Sequence, residues 1–264
     1  MSWPRDTLRR WGSHPAVEEH VSRALRARLT TNPASFLAHD MRGAHGNYVV
    51  RATRQRVFLE HGTPDVSTFD QTYYRHDHEP PPGAAAVLAG HAGLSVVDVG
   101  ANIGMWSLWT AHRFRVRSLT AIEPVPRNVT ALTANLGANL PDGTWAAVAA
   151  AASTVDGELS FGGEDTTRGH IGGTGLTVPS VDLFGLLDGV DLLKLDVEGA
   201  EWSLISDPRW DELVVPVVML EHHAQGAPPG PALAAEEALR RRGYTVERSG
   251  ADVDGAGVLW GVRA

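Results

Sequence analysis

The sequence lacks cysteine and has a single lysine. Without cysteine, the chain of 264 residues can form neither a disulfide framework nor a thiolate nucleophile. Of its 23 Lys and Arg residues, all but Lys194 are arginine. Because an ammonium group is a compact charge that a planar guanidinium cannot replace, Lys194 is a candidate for a specific role. Chance retention beside a structural carboxylate accounts for it equally well.

Long apolar runs and an excess of positive charge are also missing. No segment approaches the ~20 consecutive apolar residues of a membrane span, and the N-terminus carries no apolar signal core. The formal net charge is −8, whereas nucleic-acid binding normally requires a basic face. We therefore expect a cytoplasmic protein with no membrane or nucleic-acid partner. The oligomeric state stays open, with a homodimer as one option.

A strand–turn–helix pattern lies in the middle of the chain. The apolar run from Leu94 ends on Asp98 and Gly100, and a helical pattern begins after Gly104. Turns of this kind are typical of nucleotide-binding units. Asn102 stands where dinucleotide binders usually carry the glycine that lets pyrophosphate approach the backbone. Its presence favours a ligand without pyrophosphate, and S-adenosylmethionine fits that description.

An acidic residue follows the glycine turn at the spacing of a ribose-binding carboxylate. About 20 residues after the turn, nucleotide sites usually carry an acid for the ribose hydroxyls. Glu123 stands there, at the end of a strand-like run. The strand predicted on the adenine side, 145–149, offers no acid, so backbone groups would have to bind the adenine amine. The predicted cofactor-binding residues are Asp98, Gly100, Ala101, Asn102, Gly104, Glu123 and Pro124.

A second apolar run ends in a cluster of carboxylates. Strand alternation places Lys194 and Asp196 on one face, and Glu198 follows in the turn. Because desolvated charges are costly without partners, such a strand end is typical of an active site. Asp196 is the leading candidate for contact with the acceptor. Glu201 begins the next predicted helix, where an acid stabilises the N-terminal dipole, so a structural role is favoured for it.

The next predicted strand ends on Glu221, His222 and His223. His222 is a candidate general base, because the ordinary pKa of histidine lies near neutrality. A hydrogen-bonded scaffold histidine is the equally good alternative. Glu221 could equally bind acceptor hydroxyls. The predicted catalytic residues are Asp196, His222, Lys194, Glu198 and Glu221.

The segment from His76 through Asp77 to His78 has the composition of a metal site. An extended backbone would place both histidines on one face, but a metal site needs a third or fourth ligand. None can be identified in the sequence. We therefore expect no bound metal, and solvated loop residues are the simpler interpretation.

Together these motifs carry a family resemblance. The chain resembles the FkbM-type methyltransferases, a branch of the class I S-adenosylmethionine-dependent enzymes, from about Phe69 to the C-terminus. Four motifs in family order and spacing support this: VDVGANIG at 97–104, IEPVPRN at 122–128, DLLKLDVEGAE at 191–201 and LEH at 220–222. The resemblance implies S-adenosylmethionine as cofactor. The acceptor in this family is typically a hydroxyl group of a natural product or sugar.

Strands and helices alternate from residue 94 onwards, which predicts a mostly parallel sheet covered on both faces. We expect a Rossmann-like, doubly wound α/β fold with seven strands and an antiparallel C-terminal edge hairpin. Ahead of it, a helix at 15–29 and short strands at 48–51 and 56–60 predict a helical and hairpin extension.

The run of three prolines at 80–82 predicts a domain boundary. Residues 1–82 would form an extension that shapes the substrate pocket or a lid, and residues 83–264 would form the S-adenosylmethionine-binding methyltransferase domain. The glycine-rich segment 157–178 is a second candidate lid, because long loops in compact domains are often functional.

Methyl transfer is the first of three functional hypotheses. It predicts an S-adenosylmethionine-dependent O-methyltransferase acting on a hydroxyl of a small natural product or sugar-containing intermediate; N-methylation of a small amine could use the same site. A nucleotide-binding oxidoreductase is the second, and Asn102 argues against it. A non-catalytic cofactor-binding protein is the third, and the acid cluster argues against it, since a dead site tends to lose costly buried charges.

Overall fold

The computed structural model describes residues 15–162, 170–171, 176–253 and 255–263. An N-terminal extension comes first. Its elements are α1 (Pro15–Arg28), α2 (Pro33–Asp40), β1 (His45–Val49), β2 (Arg56–Glu60), α3 (Asp65–Asp70) and a π-helical turn (Gln71–Arg75). The antiparallel pairing of β1 with β2 confirms the predicted hairpin. The sequence pattern does not predict α2, which is short and begins at Pro33, with Asn32 accepting the backbone N–H of Ser35 at 3.1 Å as its cap.

The alternating part of the chain starts earlier than the pattern predicts. Its first elements are α4 (Pro82–Ala89), β3 (Leu94–Val99), α5 (Met105–Arg113), β4 (Val116–Ile122), α6 (Pro126–Gly137) and β5 (Trp145–Val148). The last proline of the run predicted as a break belongs to α4. Proline is tolerated in the first turn of a helix, because its missing N–H has no intrahelical partner there.

A small second sheet follows β5. It contains β6 (Ala151–Ser153), β7 (Gly157–Gly162), β8 (His170–Ile171) and β9 (Leu176–Asp182), in the order β6-β9-β7-β8. The prediction of a loop at 157–178 is therefore corrected: β7 pairs antiparallel with β9. Residues 163–169 and 172–175 of that segment lie outside the described residues.

The remaining elements are β10 (Leu192–Leu195), α7 (Glu201–Ile205), β11 (Val217–His222), α8 (Pro231–Arg241), β12 (Thr245–Val253) and β13 (Ala256–Val262). The main sheet has seven strands in the order β12-β13-β11-β10-β3-β4-β5. β11, β10, β3, β4 and β5 are parallel, and β13 pairs antiparallel with β11 and β12. The predicted fold class, including the antiparallel edge hairpin, is confirmed.

Two buried clusters cover the two faces of this sheet, because successive strand residues point to opposite sides. One face carries Val96 and Leu192 and is packed against α4, α5, α6 and the extension, which contributes Phe36 and Phe69. The other face is packed against α7 and α8. Among the described residues, no helix is both long enough and apolar enough to cross a membrane.

Candidate active site

The carboxyl ends of β4, β3, β10 and β11 meet at one edge of the main sheet. The strand order changes direction between β3 and β10, since β4 and β5 follow on one side and β11 on the other. In doubly wound sheets, ligands bind at such a switch point. A cavity of about 440 Å³ lies there, which is within the range of small-molecule sites.

The turn after β3 forms one wall of the cavity. Gly100 has a φ of +76°, and a Cβ there would lie 1.7 Å from the backbone oxygen of Asp196. Only glycine therefore fits where this turn passes the end of β10. Asn102 is also left-handed, at a φ of +49°, a conformation that asparagine tolerates. Gly104 begins α5 and packs against Leu132 of α6, where a Cβ would lie 2.7 Å from Cδ1.

Alanine at Gly100 is expected to destabilise the protein more than alanine at Gly143. Gly143 has nearly the same backbone, with a φ of +80°, but nothing lies within 4 Å of a Cβ there. Gly143→Ala therefore carries only the cost of the left-handed backbone, about 1–2 kcal/mol. Gly100→Ala adds the clash with the β10 backbone, a further ~1–3 kcal/mol. Urea unfolding measures the difference, and equal losses would contradict the close approach.

Glu123 ends β4 on the cavity wall and is 5% exposed. One carboxylate oxygen accepts the backbone N–H of Asn102 at 2.9 Å; the other accepts the N–H of Val125 at 3.0 Å and the amide of Asn128 at 3.2 Å. Burial raises the pKa of Glu123, and these hydrogen bonds to the charged form oppose that shift. The carboxylate is thereby held beside the glycine turn.

Lys194 is buried at the end of β10 and is 3% exposed. Its ammonium lies 3.1 Å from Asp98 Oδ1 and 3.2 Å from Asp196 Oδ2, and it donates to the Gly100 backbone oxygen at 2.9 Å. Burial by itself would lower the pKa of Lys194, but the charges of Asp196 and Asp98 outweigh it and raise the pKa. Lys194 therefore stays charged and ties the turn after β3 to the end of β10.

The predicted cofactor residues fall into two groups. Those that line the cavity are Gly100, Ala101, Asn102, Glu123 and Pro124. Asp98 is fully buried and does not line it; its carboxylate is taken up by Lys194 and by the hydroxyl of Ser107, which donates at 2.5 Å. Gly104 does not line the cavity either; it is the N-cap of α5 and packs against Leu132 of α6. The placement of these two residues favours a supporting role.

Three carboxylates, those of Asp196, Glu198 and Glu221, line another part of the cavity. Burial would raise the pKa of Asp196, but the charges of Lys194, His223 and His78 and the hydrogen bond to Lys194 together outweigh it and lower the pKa. Glu198 sits in left-handed backbone, and burial raises its pKa to about 7. His223 Nε2 lies 3.6 Å from Glu198 Oε2 and 3.9 Å from an oxygen of each of the other two carboxylates.

Glu201 holds His223 in place. It is fully buried, and its carboxylate accepts the backbone N–H groups of Gly199 and His223 at 2.7 Å each. It also lies 3.1 Å from His223 Nδ1. Burial would lower the pKa of His223, but the hydrogen bond to Glu201 together with the charges of Asp196, Glu201 and Glu198 outweighs it and raises the pKa to about 9. These contacts are the kind expected if Glu201 has the structural role that the sequence favours.

His222 does not line the cavity. It is 1% exposed and shares the β11 face of Val218 and Leu220, which belong to the cluster under α7 and α8. Glu221, one residue earlier, lines the cavity. The general-base role predicted for His222 is therefore corrected, because an imidazole buried on the opposite face of the sheet cannot reach an acceptor. Strand alternation carried this signal: if Glu221 faces the cavity, His222 must face away.

His78, expected from the sequence to be a solvated loop residue, instead lines the cavity. Its Nε2 lies 2.9 Å from Glu221 Oε2, and its side chain is 11% exposed. The chain reaches this position after the π-helical turn, where His76 adopts a left-handed conformation. No local pattern joins the two partners, because 143 positions separate them.

The extension supplies much of the remaining wall. Its cavity-lining residues are Pro64, Ser67, Thr68, Gln71, Thr72 and His78. Arg127 of α6 holds this part of the extension: its guanidinium donates to both oxygens of Asp65 at 2.9 Å and to Glu60 at 3.1 Å. The ion pairs fix the start of α3 beside the glycine turn.

Comparison with known proteins identifies one sequence family. Residues 98–246, more than half of the chain, match the family described as the Methyltransferase FkbM domain. Among curated proteins, no significant match was found.

Several solved structures are similar to the chain at low identity. An FkbM methyltransferase from Methylobacillus flagellatus KT is 12% identical with a TM-score of 0.49, over 94% of this chain and 59% of that one. TYW2 of M. jannaschii, in complex with AdoMet, is 15% identical with a TM-score of 0.44, over 83% and 86%. A putative methyltransferase from Streptococcus mutans is 13% identical with a TM-score of 0.48, over 83% and 55%. The chain thus spans 59% of the length of the M. flagellatus protein.

The family match includes the elements that build the cavity. It contains the glycine turn, Glu123, the acid-rich end of β10 and the end of β11. The protein belongs to the FkbM methyltransferase family.

Proposed function

We propose that the protein is an S-adenosylmethionine-dependent O-methyltransferase acting on a hydroxyl of a small natural product or sugar-containing intermediate. One observation carries the proposal: a single cavity joins the glycine turn and Glu123 to the carboxylates of Asp196, Glu198 and Glu221. The first part suits a nucleoside. The second suits a hydroxyl, because carboxylates accept its hydrogen bond and can take its proton.

The part of the cavity beside the glycine turn fits the adenosyl group of the cofactor. Glu123 accepts three hydrogen bonds, whereas a carboxylate offers about four acceptor positions, so it can still bind a ribose hydroxyl. Asn102 Oδ1 and Trp106 Nε1 are buried and have no hydrogen-bond partner within the described part of the chain. Such orphaned polar atoms beside a cavity favour a ligand that pairs with them. Bound S-adenosylmethionine supplies a methyl group activated by positively charged sulfur.

The chain's own residues would position the acceptor and take its proton. The acceptor oxygen must lie in line with the methyl group, roughly 3–3.5 Å from it. Asp196, anchored by Lys194, and Glu221, held by His78, would bind and orient the hydroxyl. The proton would pass to a carboxylate of this cluster or to water. Both anchors hold the carboxylates before an acceptor arrives, which lowers the entropic cost of alignment.

The extension belongs to the same proposal. Ser67, Gln71 and Thr72 line the cavity and can hydrogen-bond a polyhydroxylated acceptor. We therefore propose that the extension within residues 1–82 contributes to acceptor recognition alongside Asp196 and Glu221, and that residues 83–264 also bind the cofactor.

S-adenosylhomocysteine is expected to raise the melting temperature, while NAD leaves it unchanged. A ligand that binds only the folded state stabilises it by mass action. Glu123→Ala removes charge-assisted hydrogen bonds to the ribose and should weaken S-adenosylhomocysteine binding by about 1.5–3 kcal/mol, or roughly 10- to 150-fold. Calorimetry of this variant beside Glu212→Ala, an exposed control, tests the assignment. Equal affinities would remove Glu123 from the cofactor site.

A labelled-methyl assay tests the acceptor. Pairs of compounds that differ only in carrying a hydroxyl or an amine at one position are offered with S-adenosylmethionine, and NMR locates the new methyl group. Methylation of oxygen supports the proposal. Methylation confined to nitrogen would replace it with the N-methyltransferase hypothesis.

A further inference from the structure

Three side chains with metal-ligating atoms converge at the acid-rich part of the cavity. His78, Asp196 and Glu221 each offer one ligand atom, and these atoms all lie within 4.8 Å of one another. They come from three separate segments: the chain after the π-helical turn, the turn after β10, and the end of β11. All three are partly buried and line the cavity. Small side-chain movements would bring them to the roughly 2.0–2.3 Å at which nitrogen and oxygen ligands bind a divalent cation.

The charges around the three side chains leave an excess of carboxylate. The five carboxyl groups of Asp98, Asp196, Glu198, Glu201 and Glu221 face Lys194 and His223, with His78 beside Glu221, and burial raises the pKa of Glu198 to about 7. At 3.9 Å, His223 Nε2 is too far from Asp196 and Glu221 for a hydrogen bond. Partly buried carboxylates without full compensation are costly, so the cluster favours a further positive charge.

The imidazole indicates what kind of cation this is. An ammonium group needs only hydrogen-bond acceptors, whereas one imidazole with two carboxylates is a mixed nitrogen and oxygen donor set. Carboxylates suit both Mg²⁺ and Mn²⁺. An imidazole ligand favours Mn²⁺, the transition metal, over Mg²⁺. The Lys194 ammonium contacts Oδ2 of Asp196. The other carboxylate oxygen, Oδ1, lies on the side of His223.

We propose that His78, Asp196 and Glu221 bind a divalent cation of the Mn²⁺ class, and that this cation orients the acceptor hydroxyl and lowers its pKa. The role in the reaction rests on the proposed function; the binding of the cation does not. The hydroxyl proton leaves to a neighbouring carboxylate or to water. An oxygen lone pair then forms the O–CH₃ bond while the C–S bond breaks and its electron pair stays on sulfur, so no redox partner is needed.

The proposal revises the sequence-based expectation that no metal is bound. That expectation followed from the lack of a third ligand near His76 and His78, and the structure brings two carboxylates to one of these histidines. The proposal also gives the extension a role in metal binding, since His78 belongs to the extension. Prolonged EDTA treatment should therefore lower turnover, and Mn²⁺ should restore it.

The test measures Mn²⁺ binding to the purified full chain from the loss of the free-ion EPR signal, with S-adenosylhomocysteine affinity measured in parallel. One Mn²⁺ per chain is expected. His78→Ala and Glu221→Gln should each weaken it by more than about 100-fold, beyond the loss typical of residues that only support a ligand. Both should keep S-adenosylhomocysteine affinity within about threefold, which also verifies folding. His76→Asn is the matched control, because asparagine tolerates its left-handed backbone, and its Mn²⁺ affinity should match the parent's.

Two results would overturn the proposal while leaving the methyltransferase cofactor site intact. The parent could bind S-adenosylhomocysteine but no Mn²⁺, or it could bind Mn²⁺ with an affinity that neither His78→Ala nor Glu221→Gln changes. Mn²⁺ binding that follows the expected pattern, without any S-adenosylhomocysteine binding, would support the metal site and refute the proposed function instead.

Discussion

Methionine in place of Lys194 is expected to lower the free energy of unfolding by about 3–5 kcal/mol and to abolish methyl transfer. Methionine has a similar length but leaves Asp98, which is fully buried, without its cation. An uncompensated buried charge is strongly destabilising, whereas a complete ion pair roughly breaks even against apolar residues. Asp196 also loses its anchor at 3.2 Å. Urea unfolding measures the loss.

Two further variants separate charge from size. Lys194→Met combined with Asp98→Asn removes the buried charge on both sides and should recover part of the lost stability, yet stay inactive because Asp196 is unanchored. Lys194→Arg keeps the charge but must fit a larger, planar group into a site that is 3% exposed, so most turnover should be lost.

The matched control for Lys194→Met is Arg241→Met at the surface. Arg241 lies 2.8 Å from Asp211, and both side chains are more than half exposed. Exposed ion pairs are worth at most about 1 kcal/mol, so this change should be nearly neutral. Equal effects of Lys194→Met and Arg241→Met would show that the lone lysine has no special structural role.

The main sheet could be predicted because its signals are local and repeated. β3, β4, β10 and β11 are apolar runs that are each followed by a helical pattern, and this alternation fixes the class of the fold. The second sheet gave no such signal. β6 has three residues and β8 has two, and β7 begins and ends on glycine. Strands this short have no measurable alternation, and their pairing depends on contacts between distant segments.

The candidate site also has one part that local sequence spacing predicts and another part that depends on a contact between distant segments. The glycine turn and Glu123 are about 20 residues apart along one strand–helix–strand unit, so sequence spacing alone predicts that they meet. The acid-rich part depends on a contact between His78 and Glu221, across 143 positions, and no sequence pattern encodes that. The misplacement of His222 has another cause. Glu221 and His222 are neighbours in one strand, and one residue decides which face of the sheet a side chain occupies.

Asparagine in place of Asp196 is expected to lower turnover by about 10²- to 10⁴-fold, the range by which positioned proton acceptors contribute. Asparagine keeps the shape of the side chain and can still accept a hydrogen bond from Lys194, so the fold should survive. It loses the charge that orients a hydroxyl, takes its proton or binds a cation. Affinity for S-adenosylhomocysteine should stay within about threefold of the parent's, because Glu123 and the glycine turn hold the cofactor elsewhere in the cavity.

Asp191→Asn is the matched control, since Asp191 lies just before β10, away from the cavity. It accepts the backbone N–H of Ser95 at 2.7 Å and lies 3.3 Å from Arg117. Its replacement should change stability slightly and turnover not at all. Single-turnover rates with saturating cofactor, together with calorimetry, distinguish the outcomes. If Asp196→Asn turns over like the parent, the acceptor does not depend on this carboxylate. If it loses cofactor affinity instead, Asp196 belongs to the cofactor site, and the acceptor must be positioned by Glu198 and Glu221.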